Sequence, residues 1–212
     1  MKNLILSLSI FILVPMSAQV YQNSKFWSAA LNVGGQALTL PSLESNKFYQ
    51  PSMIHVNAAY KFNHIYGVRP SFTFHNFNVA DKPNTNYANA SLDFFVDFNQ
   101  MGTYGFRENQ WEWSVLGYMG FGFSTMSNDR RNRLPDENDP YIEANDDMMS
   151  FTLGITPRMR IGRNLMFNID LGYVAHHLQD QSFDFNASTR RPRGFGGGIM
   201  RFGFGITYEF IK

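Results

Sequence analysis

The chain contains no cysteine. That excludes disulfide bonds, thiolate catalysis and lipid attachment through a cysteine at a processed N-terminus. An excess of one charge is missing too: 18 Lys+Arg stand against 17 Asp+Glu, a formal net charge of +1. So balanced a chain offers no electrostatic attraction for nucleic acid, and none is expected as a partner. The third absence is of long apolar runs. Leu4 to Val14, interrupted by Ser7 and Ser9, comes nearest, and it falls well short of the roughly 20 residues that a spanning helix needs. Mean hydropathy is -0.27, too polar for a bundle of membrane helices.

That single apolar run has a specific setting. One positive charge at Lys2 precedes it, Pro15 ends it, and the small residues Ser17 and Ala18 follow. Charged, apolar and small-residue regions in that order form a cleavable secretory signal. The sequence therefore predicts a signal peptide over residues 1–18 and a mature domain over residues 19–212. Loss of Lys2 with the leader leaves 17 basic residues against 17 acidic ones.

What the chain does have is aromatic side chains and glycine: 21 Phe, 10 Tyr and 17 Gly. They are arranged by parity. Met200, Phe202, Phe204, Ile206, Tyr208 and Phe210 alternate with Arg201, Gly203, Gly205, Thr207 and Glu209. Successive side chains of a strand point to opposite faces, so one face is apolar and the other small or charged. Similar splits occur around Trp27–Val33, Ile54–Phe62, Tyr66–Phe74, Leu92–Phe98, Trp111–Phe123, Phe151–Ile161 and Leu165–Tyr173. That makes about eight segments, each near the roughly 9–11 residues of a tilted membrane strand.

Connection lengths alternate as well. Tight turns at 62–65 and 162–164 alternate with long polar stretches at 40–51, 79–86, 127–147 and 178–197. Outer-membrane barrels have short periplasmic turns and long external loops. The 99–109 connection is longer than that rule prefers. Aromatics gather at the turn end: Trp27, Phe62, Tyr66, Phe98, Trp111, Trp113, Tyr208 and Phe210. Rings with a polar tip favour the headgroup level, so these form an expected girdle. Phe77, Tyr87, Phe123 and Tyr173 are candidates for the opposite one. A soluble sandwich also alternates, but its water-facing side has no need to gather both charge signs with glycine. The expected fold is all-β: a closed antiparallel transmembrane β-barrel in the outer membrane of a Gram-negative bacterium, surrounded by lipids and lipopolysaccharide.

The signal peptide, the eight segments and the final strand from Arg201 to Phe210 resemble the small OmpA-like outer-membrane β-barrel family. That resemblance covers nearly all of the mature chain at the level of architecture. It implies that the barrel-assembly machinery recognises the aromatic last strand during insertion. No peptidoglycan-binding domain follows the barrel, so wall tethering is not implied.

Candidate functional groups sit on the polar parity. Lys61, Arg69, Arg158, Arg160 and Arg201 oppose Asp93, Asp97, Glu112, Asp170 and Glu209. An eight-stranded barrel is just wide enough for side chains to fill it, so these charges are expected to pair and plug the lumen. A narrow pore for small solutes is the alternative. His176 and His177, near Asp180 and Ser182, permit a second alternative, a lipid-modifying hydrolase or acyltransferase at the membrane rim. Arg130, Arg131 and Arg133, with Arg190, Arg191 and Arg193, could meet lipopolysaccharide phosphates, which guanidinium groups pair well. The acidic stretch 136–147 lacks the glycine and closing glutamate of a calcium loop. Neither cofactor nor metal is expected. The reading is a non-catalytic protein with a structural or interaction role, suited to an accessory subunit of an outer-membrane complex.

Overall fold

The computed structural model describes residues 26–38, 49–63, 65–77, 85–101, 113–128, 145–179 and 195–210. The predicted signal segment lies outside them, as do Trp111, Glu112, Asp180, Ser182 and the six loop arginines. Eight strands follow in order: β1 (Phe26–Leu38), β2 (Tyr49–Lys61), β3 (Tyr66–Phe77), β4 (Thr85–Asp97), β5 (Trp113–Asn128), β6 (Asn145–Arg160), β7 (Leu165–His177) and β8 (Phe195–Phe210). Each pairs antiparallel with its neighbour, and β8 pairs back onto β1 to close the barrel.

The register fixes the shape. Stepping across paired residues from Trp27 leads through Tyr60, Val68, Phe94, Met119, Leu153, Tyr173 and Met200 to Ala37. The circuit thus returns to β1 displaced by ten residues. With a rise of about 3.3 Å and a strand spacing of about 4.8 Å, that stagger tilts the strands by about 41° and gives a backbone radius of about 8 Å. Side chains of ordinary size fill such a tube.

Local chemistry forms the turns. The Asn63 side-chain oxygen accepts the backbone N–H groups of Ile65 and Tyr66, both at 2.8 Å, which closes the β2–β3 turn. At the β6–β7 turn Ile161 N–H and Gly162 N–H both donate to the Leu165 carbonyl. The longer β4–β5 connection begins with one helical turn, α1 (Phe98–Met101). Its Asn99 side chain accepts the Val115 N–H at 3.0 Å. The Phe98 ring lies on Gly117, where a Cβ would come within 2.5 Å of it.

The polarity of the fold is inverted relative to a water-soluble protein. Phe121 and Phe123 are 73% and 70% exposed on the outer wall, while Arg69, Asp93, Asp170 and Arg201 are buried inside. Closure leaves no strand edge for lipid to face, as an apolar solvent requires. Trp27, Phe62, Phe98, Trp113, Tyr208 and Phe210 are exposed on the outer wall at the turn end, and Tyr66 is half-buried there. Two candidates for the opposite girdle are corrected: Phe77 and Tyr87 point inward and are almost fully buried. Both share the odd parity of the lumen-facing residues on β3 and β4, and near a strand end that parity outweighs the aromatic preference for an interface.

Candidate functional site

The lumen is filled in layers. At its centre, Arg69 donates through Nε and Nη2 to Asp93 Oδ2 at 3.2 and 3.0 Å. Asp93 also accepts hydrogen bonds from Ser71, Ser91 and Thr152 at 3.2, 2.9 and 2.7 Å. Beside it Arg201 Nε donates to Asp170 Oδ2 at 2.8 Å. The Tyr118 and Thr156 hydroxyls complete that carboxylate at 3.1 and 3.0 Å. A buried ion pair survives desolvation only when its remaining polar atoms are satisfied as well, and both pairs meet that condition.

Tyr118 joins the two. The Arg69 guanidinium stacks 3.9 Å from the centre of its ring, and Arg201 Nη2 donates to its hydroxyl at 2.8 Å. Its hydroxyl rests against Gly154 and Gly172, which face each other across β6 and β7. A Cβ at Gly172 would lie 2.5 Å from that oxygen and 3.1 Å from Arg201 Nε. Arg201 Nη1 reaches across to Thr73 at 3.0 Å, and Thr73 in turn bonds His55 at 2.8 Å. Tyr118→Phe should therefore cost about 2 kcal/mol, the scale of hydrogen bonds to charged groups. Urea unfolding in lipid vesicles would measure it.

Towards the turn end lies a second group. Asp97 Oδ2 accepts from Lys61 at 3.0 Å and from Arg158 at 3.3 Å. Arg158 also stands 3.6 Å from Glu209, and the partly exposed Arg160 stands 3.2 Å from it. Between this group and the centre, Ala59, Phe95, Leu116 and Tyr118 form an apolar cluster. A cavity of only about 20 Å³ is left here, about the room one water needs.

Towards the loop end, the Tyr87 hydroxyl lies 3.0 Å from Ser124 and 2.9 Å from His176 Nε2. Asn89 donates to Ser124 and Ser150 at 2.9 and 2.7 Å. Beyond them Phe77, Tyr87, Met126, Met148 and Ile199 pack into a cluster with every member almost wholly buried. Apolar side chains thus gather inside that end of the lumen, on the inward parity of their strands, where residue type alone would have expected polar ones. Neither this cluster nor the central role of Tyr118 stands out in the sequence. The signal for Tyr118 was its place on the lumen parity among glycines.

The rim-enzyme alternative fares differently. His176 lies inside the barrel with no exposed surface, bonded to Tyr87 rather than turned to the membrane rim. Its position on the even, inward parity of β7 explains this. Among the described residues, no group of three or more His, Asp or Glu side chains is placed to hold a metal ion.

A family model described as outer membrane protein beta-barrel domain matches residues 6–210. Among solved structures, a major outer membrane protein from Thermus thermophilus is similar, with 14% identity and a TM-score of 0.57. That match covers 89% of this chain and 100% of the other. Neisserial surface protein A is similar with 9% identity and a TM-score of 0.53, over 89% and 98% of the two chains. At these identities the likeness is one of fold. No curated protein matches the chain.

Proposed function

Because the chain belongs to the outer membrane protein beta-barrel domain family and its lumen is occupied by its own side chains, we propose that it is a closed, non-catalytic barrel acting through its outer surface and loops. Family membership puts the barrel in the outer membrane. The finer role we assign is that of an accessory subunit in a larger outer-membrane assembly. One observation carries this reading. Apolar side chains at the loop end and paired charges below them occupy the lumen among the described residues, which supports a role in partner contacts over one in conduction.

The same proposal gives the surface residues their roles. The turn-end aromatics sit at the headgroup level, and the loop arginines Arg130, Arg131, Arg133, Arg190, Arg191 and Arg193 meet lipopolysaccharide phosphates. Residues 1–18 direct export, and β8 engages the barrel-assembly machinery.

Extraction of the tagged protein from native outer membranes in mild detergent, followed by native mass measurement, tests the assignment. The expected result is a stoichiometric complex with a second outer-membrane protein. A barrel recovered alone at every detergent concentration would count against the accessory role.

A further inference from the structure

The hydrogen-bonded wall is interrupted at two places that share one cause. In the β2–β3 ladder, pairing stops at Asn57–Ser71 and resumes at Tyr60–Val68. In the β6–β7 ladder it stops at Ile155–Leu171 and resumes at Arg158–Asn168. Pro70 sits in the first gap and Pro157 in the second, and a proline has no backbone N–H to give a ladder. Each is paired on its other side, Pro70 with Leu92 on β4 and Pro157 with Val115 on β5. Prolines within sheets are confined to edge strands, so β3 and β6 are the two edges of a four-stranded unit that runs from β3 to β6. The other unit is β7, β8, β1 and β2. Among the described residues the remaining six seams have no such gap; β1–β2 and β7–β8 carry only a register shift near the loop end.

Side chains divide along the same line. Asp93 is satisfied within one unit, by Arg69 and Ser71 on β3, Ser91 on β4 and Thr152 on β6. The Arg201–Asp170 pair lies within the other, between β8 and β7. At the centre the units touch through hydroxyls, those of Tyr118, Thr156 and Thr73. At the turn end, by contrast, ion pairs cross from unit to unit: Lys61 on β2 to Asp97 on β4, and Arg158 and Arg160 on β6 to Glu209 on β8. The small cavity falls on the dividing line as well, lined by Ala59 and Arg69 behind the first gap and by Thr156 behind the second. Towards the loop end both ladders stop early. The β2–β3 ladder ends at Ile54–Phe74, above which the Ser52 hydroxyl donates to the Asn76 carbonyl at 2.6 Å. The β6–β7 ladder ends at Met149–His177, above which Leu178 takes a φ of 64° and turns outward against the alternation of its strand.

We infer that the barrel is built as two rigid half-sheets that part along the β2–β3 and β6–β7 seams, with the turn-end ion pairs as the latch between them. Parting two strands in hydrocarbon leaves N–H and C=O groups without partners, which opposes opening anywhere in the wall. An edge that carries proline has one N–H fewer to strand, so these two seams cost least to open. Each unit keeps its own central Arg–Asp pair when they part, so no charge is left alone in the middle of the lumen. The pairs that must break lie at the turn end, where Arg160 is 37% exposed and water can take up the freed charges. Such openings separate cooperative units without unfolding the whole, and hydrogen exchange detects them.

The test is residue-resolved hydrogen exchange by NMR on the full barrel in lipid nanodiscs. The amides to follow are those bonded across the two seams at Asn57–Ser71, Tyr60–Val68, Ile155–Leu171 and Arg158–Asn168. All of these have ladder partners, so their exchange reads opening rather than a missing bond. In the wild type they should exchange about tenfold faster than mid-strand amides of the unbroken β4–β5 seam. Glu209→Gln, which weakens the latch to Arg158 and Arg160, should speed them about tenfold further and leave the β4–β5 amides unchanged. Pro70→Val, which restores an N–H, should slow the β2–β3 amides towards the β4–β5 rate. Equal exchange in all seams of the wild type would overturn the inference, and that comparison stands even if a variant fails to fold. So would a Glu209→Gln barrel in which every ladder speeds up alike, because that is the mark of global unfolding.

Discussion

Arg201→Met should destabilise the folded barrel by about 3–5 kcal/mol, the usual cost of removing one partner from a buried ion pair. The side chain is 1% exposed and donates to Asp170, Tyr118 and Thr73. Its loss would strand the Asp170 carboxylate with only the Tyr118 and Thr156 hydroxyls. Adding Asp170→Leu to make the double variant should restore a substantial part of the loss, because no uncompensated charge then remains. Reversible urea unfolding of the four proteins from lipid vesicles supplies the cycle. Equal losses in the single and double variants would mean that the pair is not the centre of the lumen's stability. Urea midpoints that scarcely move for Arg201→Met would mean that water already reaches it.

The next largest effect is expected on the opposite wall. Phe204 is half exposed on the outer face of β8, six residues above Phe210. At the strand tilt given above that is about 15 Å along the membrane normal, near the middle of the hydrocarbon. Phe204→Arg should therefore cost about 2–4 kcal/mol, whereas Phe210→Arg, at the headgroup level, should cost only about 0–1 kcal/mol. The difference between the two sites is what separates a lipid-facing wall from a soluble one. On a water-facing surface the two substitutions would be about equally mild. The measurement is again urea unfolding from vesicles, with outer-membrane levels in cells as the second readout.

How much of this could be read from the sequence follows from what each feature depends on. Strand faces depend on parity alone, so the outer wall and the inward polar set were visible at once. Phe202, Phe204 and Ile206 alternate with Gly203, Gly205 and Thr207, and the structure turns them outward and inward as that pattern requires. Partner choice depends on the stagger of the barrel, which no single strand encodes. Arg158 on β6 reaches Asp97 on β4, across the intervening β5. Arg201 on β8 meets Thr73 on β3, from the far side of the lumen.

Where parity and chemistry disagree, residue type misleads. Phe77 and Tyr87 look like interface aromatics, yet they pack inside the barrel with Met126, Met148 and Ile199. Tyr118 was visible as an inward residue but not as the group that joins two ion pairs, since that depends on the glycines of β6 and β7 leaving room for its hydroxyl. Leu178 was the least legible of all. Its outward turn comes from one backbone angle that breaks the alternation on which the sequence reading relied.

The central claim is that the barrel is closed by its own side chains. Planar-bilayer recording of the purified protein tests it most directly. The account predicts a baseline without discrete current steps for the wild type. Regular steps of fixed size, altered when Arg158 or Asp97 is replaced by alanine, would contradict it and make the lumen a pore.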